Sequence, residues 1–170
     1  MPSTDLTARI IAHLAGRGLT VAAAESLTGG ELTAELTRIP GASSAVLGGA
    51  VVYATALKHS LLGVDKALLD AEGPVHPEVA RQLAEGVRKR LAVSERPADF
   101  GLSTTGVAGP EPQGGRAVGT VFIGLATPDS TRVVELRLTG SRAEIRRQVV
   151  ERTLRELASD LGIDASADPV

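Results

Sequence analysis

The chain has 170 residues, a formal net charge of −2 at pH 7, 43% hydrophobic residues and 22% charged residues. This composition is typical of one globular domain. The acidic balance and the scarcity of aromatic residues argue against a nucleic-acid interface. We find no signal-peptide pattern and no apolar run long enough to cross a bilayer, so we expect a cytoplasmic protein with neither a membrane nor a nucleic-acid partner.

Cysteine is absent, which excludes disulfides, zinc–thiolate sites and a cysteine nucleophile. The three histidines, His13, His59 and His76, lie far apart in the sequence and form no metal-ligand motif. We therefore expect a metal-independent chemistry that needs no cofactor.

The first half of the chain alternates between helical and strand patterns. Ser3, Thr4 and Asp5 offer an N-cap for the first helix. The elements predicted in this half are a helix to residue 16, a strand over residues 19–24, a helix to residue 38, a strand over residues 45–53 and short helices over residues 54–62 and 65–72. A pair of glycines at positions 48 and 49 indicates a bulge, or close approach of another backbone or a ligand, within the second strand.

The second half begins with a long helix from Pro77 and ends with a helix opened by a capping box of Ser141 and Glu144. The strands predicted between them cover residues 98–104, 117–127 and 132–138, with a Gly/Pro-rich loop over residues 106–115. The last two strands form a hairpin, since only a short turn separates them. We expect one domain over residues 1–162 and a frayed tail over residues 163–170.

This order predicts a three-layer α/β/α sandwich around a mixed, mostly parallel five-stranded sheet, in which the hairpin makes the fourth strand antiparallel. In open α/β sheets, ligands bind outside the carboxyl ends of the parallel strands. The chemistry-bearing residues follow those ends: Glu25 and Ser26, Tyr53 and Lys58, Thr105 and Gly106, and Arg142. We therefore expect them to converge on one edge of the sheet.

Ser26 is the candidate nucleophile at this edge, and a serine needs a base. No histidine follows a strand end, so Lys58 is the available base, provided that burial or a nearby cation lowers its pKa enough to make it neutral. The alternative is that Ser26 only caps the second helix and that Lys58 is a solvated helix residue.

The residues around Ser26 have two interpretations each. In the functional interpretation, Glu25 orients Lys58 or binds a ligand hydroxyl. In the other interpretation, it makes a structural hydrogen bond. The amides of Thr28, Gly29 and Gly30 are candidates for an oxyanion hole. Tyr53 either contacts the ligand or is a partly buried residue with a solvated hydroxyl.

Arg142 lies in the first turn of the last helix, which is the electrostatically unfavourable end for a cation. Arg146 follows one turn later on the same face, so the two together predict an anion clamp suited to a phosphate. The alternative is ion pairing with Glu144 or another acidic residue.

Four motifs occur in order along the chain: AESLTGG over residues 24–30, GAVVY over residues 49–53 followed by Lys58 and LLGV, TGVAGP over residues 105–110, and VGTV over residues 118–121. They resemble the motifs of the CinA C-terminal domain family over about residues 5–160. The resemblance implies a three-layer α/β/α fold and hydrolysis of nicotinamide mononucleotide, a small phosphorylated pyridine nucleotide, to nicotinate mononucleotide and ammonia.

By the same resemblance, the family's serine and lysine fall on Ser26 and Lys58. The hydroxyl residue that precedes the first glycine of its T-G-x-A-G-P motif falls on Thr105, and the arginine of its G-x-R motif falls on Arg142. The resemblance also implies a homo-oligomer and a stand-alone form of a domain that many members join to an N-terminal molybdopterin-binding-like domain. The chain departs from the family patterns at Thr55, where asparagine is common, at His76, where serine is usual, and over residues 111–117.

Two further functions are compatible with the same residues. One is a nucleotide-binding or regulatory module with little turnover, associated with competence or DNA damage, which the departures at Thr55 and His76 favour. The other is a Ser-Lys amidohydrolase that acts on a non-phosphorylated amide, for which the arginine clamp would have no purpose.

Overall fold

The computed structural model describes residues 5–165. Its helices are α1 (Leu6–Gly16), α2 (Glu31–Thr37), α3 (Thr55–Leu62), α4 (Lys66–Glu72), α5 (Pro77–Arg90) and α6 (Arg142–Asp160). Its strands are β1 (Val21–Glu25), β2 (Val46–Val51), β3 (Phe100–Gly106), β4 (Thr120–Ala126) and β5 (Thr131–Arg137). Asp5 caps α1 through its side chain; Ser3 and Thr4 lie outside the described residues.

The five strands form one sheet in the order β2-β1-β3-β4-β5. Strand β1 pairs in parallel with β2 and with β3, whereas β4 is antiparallel to both β3 and β5. Strands β1, β2, β3 and β5 therefore run in the same direction, which confirms the predicted mixed sheet with an antiparallel fourth strand. The carboxyl ends of β1, β2 and β3 lie side by side at one edge.

A hydrophobic cluster lies on each face of the sheet. Residues of α1, α2 and α6 pack on one face, where Val21 and Ala23 of β1 point. Residues of α3, α4 and α5 pack on the other, where Ala22 and Ala24 point. The alternation along β1 follows from the period of two of a strand, and the helices on both faces confirm the three-layer sandwich.

The strand ends differ from the predicted ones where other groups take the backbone hydrogen bonds. Strand β2 ends at Val51 rather than Tyr53, because the carbonyl of Val52 accepts a hydrogen bond from the Lys58 ammonium instead of a strand neighbour. Strand β3 begins at Phe100, two residues after the predicted start, since the amide of Ala98 donates to the carbonyl of Arg88 at the end of α5.

The segment predicted to fray is partly attached to the fold. The amide of Ile163 donates to the carbonyl of Ala158, and the Arg9 guanidinium donates to the carbonyl of Asp164. Residues 166–170 of that segment lie outside the described part of the chain. Within residues 5–165, none of the helices is both long and apolar enough to span a membrane.

The paired glycines of β2 mark both a bulge and a close approach. Val21 pairs with Val46 and Ala22 with Gly48, so Leu47 is an extra residue in β2. A Cβ atom on Gly49 would overlap the hydroxyl oxygen of Thr33 in α2. Glycine at position 49 therefore lets α2 pack closely on the edge strand.

We predict that Gly49→Ala destabilises the protein by about 1–3 kcal/mol, because the methyl group overlaps the Thr33 side chain. Gly16→Ala is the matched control, because a Cβ there meets nothing within 4 Å. Alanine also has a higher helix propensity than glycine, so we expect unchanged or slightly higher stability. Urea unfolding measures both variants. Equal stability of Gly49→Ala and the parent protein would contradict the close approach.

Candidate active site

An open cleft lies at the carboxyl edge of β1, β2 and β3. It contains about 550 Å³ of space not filled by protein atoms, including its open mouth. The side chains that line it include Ser26, Thr55, Lys58, Thr105 and Arg142. Residues following several strand ends thus meet in one cavity, as their positions in the predicted sheet indicated.

Ser26 and Lys58 are in direct contact at this cleft. The Lys58 Nζ lies 3.0 Å from the Ser26 Oγ and donates a hydrogen bond of 2.7 Å to the carbonyl of Val52. Lys58 is fully buried, although α3 is otherwise largely exposed, and Ser26 is 9% exposed. The alternative in which Lys58 is a solvated helix residue is therefore wrong.

Burial lowers the pKa of Lys58 from 10.5 to about 8. None of the ion pairs between described residues includes Lys58, so no carboxylate opposes the effect of burial. Both polar partners of Nζ are neutral oxygens. A neutral Lys58 can keep its bond to the Val52 carbonyl while its lone pair accepts the proton of the Ser26 hydroxyl.

Glu25 is fully buried next to Ser26, and none of the hydrogen bonds or ion pairs between described residues joins its carboxylate to Lys58. Its carboxylate accepts hydrogen bonds from the amides of Gly30, Leu32 and Thr33 and from the Thr33 hydroxyl, at 2.6–3.0 Å. Of the two interpretations of Glu25, the structure supports the one in which its carboxylate makes structural hydrogen bonds. The carboxylate satisfies the free amides at the N-terminus of α2 and so holds the turn that carries Ser26.

These bonds decide which amides of the turn are free. Gly30 donates to Glu25 and Gly29 donates to the carbonyl of Ser26, so two of the three amides predicted for an oxyanion hole are occupied. Among described residues, the amides of Leu27 and Thr28 have no acceptor. Leu27 was missed at the sequence level. The signal was its position directly after the serine, where the nucleophile elbow of α/β-hydrolases also has an oxyanion-hole amide.

The two threonines of the candidate site point to different partners. Thr28 is fully buried, and its hydroxyl is 2.8 Å from that of Thr104, so its side chain does not line the cleft. Thr105 lines the cleft together with Gly106, and its hydroxyl donates to the carbonyl of Pro74 at 2.7 Å. Thr105 therefore ties the loop before α5 to the wall of the cleft.

Arg142 is at the mouth of the cleft. Its guanidinium donates to the carbonyl of Gly109 at 2.7 Å and to the hydroxyl of Tyr53 at 3.0 Å. Tyr53 is 60% exposed and also lines the cleft. Neither contact neutralises the charge of Arg142, so the guanidinium can bind an anion entering from solvent.

The predicted clamp of Arg142 with Arg146 is wrong in its second member. Arg146 is not among the described residues that line the cleft. Its guanidinium donates to the carbonyls of Leu27 and Thr28 and forms an ion pair of 2.8 Å with Glu31. The alternative of an ion pair with an acidic residue holds for Arg146, with Glu31 rather than Glu144 as its partner. Glu144 instead completes the capping box with Ser141.

The positions that depart from the family patterns have separate roles. Thr55 lines the cleft one turn before Lys58. His76 caps α5, its Nδ1 accepting from the amide of Glu78 at 3.1 Å. Glu111 and Gln113 of the divergent loop line the cleft and were not singled out in the sequence. Within residues 5–165, no three His, Asp or Glu side chains form a group that could hold a metal ion.

Known proteins resemble this chain over most of its length. A family model of the CinA C-terminal domain matches residues 3–161. A CinA-like protein of Frankia casuarinae is 51% identical over 141 residues, which is 83% of this chain and 31% of the relative. A putative competence-damage inducible protein of Bacillus pumilus is 46% identical over 154 residues, 91% of this chain and 36% of the relative.

Solved structures agree with the fold. The competence/damage inducible protein CihA of Agrobacterium tumefaciens is 33% identical, with a TM-score of 0.85 over 94% of each chain. A CinA superfamily protein of Klebsiella pneumoniae is 25% identical, with a TM-score of 0.86 over 95% of this chain and 99% of that one. The chain spans about a third of the length of the curated relatives described above. The family match covers nearly all of it, and the chain therefore belongs to the CinA C-terminal domain family.

Proposed function

We propose that the protein hydrolyses the carboxamide of nicotinamide mononucleotide to nicotinate mononucleotide and ammonia. The observation that carries the proposal is the contact between a buried lysine with a lowered pKa and a serine at an open cleft. The family resemblance suggests the substrate, and the unneutralised Arg142 at the mouth of the cleft suits its phosphate.

The proposed reaction uses Ser26 and Lys58 as a pair. Neutral Lys58 accepts the hydroxyl proton as the Ser26 Oγ attacks the carboxamide carbon, and the resulting ammonium returns the proton to the departing nitrogen, which leaves as ammonia. Water then hydrolyses the Ser26 ester. In a second route, Ser26 and Lys58 activate the water directly and no ester forms. Mass spectrometry of enzyme quenched during turnover separates the routes, since only the first adds a nicotinate mononucleotide group to Ser26.

In either route, negative charge develops on the carboxamide oxygen. The amides of Leu27 and Thr28, the two residues that follow the serine, have no acceptor among the described residues. We assign the oxyanion hole to them. Fixed donors of this kind contribute on the order of 10²–10³ in rate.

The phosphate is assigned to the mouth of the cleft, where Arg142 begins the long helix α6. The helix N-terminus favours an anion, and the guanidinium can exchange its contacts with the Gly109 carbonyl and the Tyr53 hydroxyl for phosphate oxygens. Tyr53 is then free to donate its hydroxyl to the same ligand. Substrate binding would thus replace contacts between protein groups with contacts to the nucleotide.

The first prediction concerns turnover. We expect the protein to release ammonia from nicotinamide mononucleotide, and Ser26→Ala and Lys58→Arg to reduce the rate by about 10²–10⁴-fold, because the nucleophile or its base is lost. Lys66→Arg is the matched control, since Lys66 is exposed and pairs with Asp70. No ammonia from the parent protein would contradict the deamidase and favour the nucleotide-binding module. An active Lys58→Arg variant would rule out lysine as the base.

The second prediction concerns the phosphate. We expect Arg142→Gln to raise KM for nicotinamide mononucleotide about 10- to 100-fold, the equivalent of a charge-assisted hydrogen bond, with little effect on nicotinamide riboside, which lacks the phosphate. Steady-state ammonia assays with both substrates measure this difference. Equal hydrolysis of the two substrates by the parent protein would contradict the phosphate site.

The third prediction concerns the charge of Lys58. Because burial lowers the pKa of Lys58 from 10.5 to about 8, the unfolded chain holds its proton more tightly than the folded protein does. The free energy of unfolding therefore rises with pH through this window. We expect this group to contribute a rise of about 2.5 kcal/mol between pH 7 and pH 10.

The measurement is urea unfolding of the parent protein and of Lys58→Met at both pH values. Methionine has a similar length and no titrating group, so the difference between the two proteins isolates the lysine. The same pH dependence in both would show that the pKa of Lys58 is ordinary and would remove the case for Lys58 as a base at neutral pH.

A further inference from the structure

We propose that Arg146 is a positioning residue for the Ser26 turn, residues 26–30, which it holds from outside the cleft. This proposal rests on the amide hydrolysis proposed above. It also reassigns an arginine whose spacing from Arg142 predicted a role in binding anions.

The turn is held by two oppositely charged side chains. The Glu25 carboxylate accepts from the amides of Gly30 and of α2. The Arg146 guanidinium donates to the carbonyls of Leu27 and Thr28, at 3.0 Å from Nε and 3.1 Å from Nη2. One charged group therefore binds N–H groups of the segment and the other binds its carbonyls, and the two bonds from Arg146 restrict the peptide planes on both sides of Thr28.

The bond to the Leu27 carbonyl also sets the direction of the Thr28 amide. The peptide between these residues is trans, and in a trans peptide the N–H points away from the C=O. The Thr28 N–H therefore points away from Arg146 and has no acceptor among the described residues. Hydrogen bonding of the carbonyl to a cation also polarises the peptide group and strengthens its N–H as a donor.

Gly29 provides a second, independent observation. A Cβ atom at this position would lie 3.2 Å from Nη2 of Arg146, and the φ of Gly29 is +58°. Glycine thus allows both the left-handed backbone and the close approach of the guanidinium. The turn is shaped to receive the arginine at its outer surface.

Arginine is required because its planar group presents two donors in a fixed geometry to two successive carbonyls, whereas the lysine ammonium is a compact point charge. The loss of Arg146 is compatible with folding. Its side chain is 27% exposed and that of Glu31 is 45% exposed, so water can solvate the groups left behind, and the Thr28 carbonyl keeps its bond from the Glu31 amide.

The test compares Arg146→Lys and Arg146→Gln with Arg147→Lys and Arg147→Gln. Arg147 is the next residue of α6 and is exposed, so the same substitutions there control for loss of charge on this helix. We expect both Arg146 variants to lower kcat about 10²-fold, the effect of a small misplacement of reacting groups, with KM changed less than about threefold and the Arg147 variants unchanged. A raised KM with an unchanged kcat would show an anion anchor and overturn the proposal, as would unchanged kinetics.

A second measurement does not depend on turnover. The chain has three lysines, Lys58, Lys66 and Lys89, so ¹³C labelling of lysine gives three side-chain signals, and Lys58→Met identifies that of Lys58. We expect Arg146→Gln, which adds no lysine signal, to move the titration of Lys58 upward from about 8, because a loosened turn admits water to the Ser26–Lys58 contact. Arg147→Gln should not move it.

The two measurements separate the two proposals. If the parent protein releases no ammonia but Arg146→Gln shifts the Lys58 titration, the proposed deamidase activity fails and the positioning role of Arg146 stands. If the parent protein is active but neither kcat nor the titration changes in Arg146→Gln, the positioning role fails and the deamidase stands.

Discussion

The candidate site depends on two buried charged side chains that lie close together in the fold and do not pair. Glu25 and Lys58 are both fully buried. An ion pair between them would favour the charged form of the lysine. Instead, Glu25 is surrounded by three amides and a hydroxyl, which satisfy its oxygens, and Lys58 faces only a hydroxyl and a carbonyl. The dipoles of the turn thus satisfy the carboxylate and leave burial free to lower the pKa of Lys58.

The same carboxylate explains why the turn sits where it does. Glu25 is the last residue of β1, which lies between β2 and β3 in the sheet and whose other residues are fully buried. Burying a carboxylate without hydrogen bonds is very unfavourable, so the N-terminus of α2 must lie directly above the strand end. Gly49 lets Thr33 come close enough to complete the set. The geometry at Ser26 therefore depends on the close packing of α2 on β2.

The sequence alone predicts the layers, the direction of the strands and the meeting of strand ends, since these follow from periodicity and connection rules that act on the backbone. It also singles out Lys58, because lysine is rare among the basic residues of this chain and this one follows a strand end. The sequence does not predict the roles of Glu25 and Arg146. These roles depend on which backbone groups of the turn face each side chain, and the turn has left-handed backbone conformations at Gly29 and Gly30 that the sequence pattern does not specify.

The two arginines one turn apart on α6 show why helical spacing was not enough. Arg142 is in the first turn, beyond the end of the Ser26 turn, and contacts Tyr53 and Gly109 across the mouth of the cleft. Arg146 is one turn further along α6 and donates hydrogen bonds to the carbonyls of Leu27 and Thr28. Helical spacing predicts that the two arginine side chains point in the same direction. The partner of each guanidinium depends instead on which groups of the neighbouring segments lie beside that turn of the helix.

The two basic residues of the cleft suit their different degrees of burial, since Lys58 is fully buried and Arg142 is exposed. Arginine stays charged at all accessible pH values, whereas lysine loses its proton readily when buried. An arginine at the solvated mouth therefore keeps its attraction for an anion while the lysine at the buried end changes charge. If the positions were exchanged, the buried group would remain a cation and could not accept a proton, and the exposed lysine would bind an anion through a single point charge. In the proposed reaction, this arrangement would separate phosphate recognition at Arg142 from proton transfer at Lys58, because burial lowers the pKa of Lys58 to about 8.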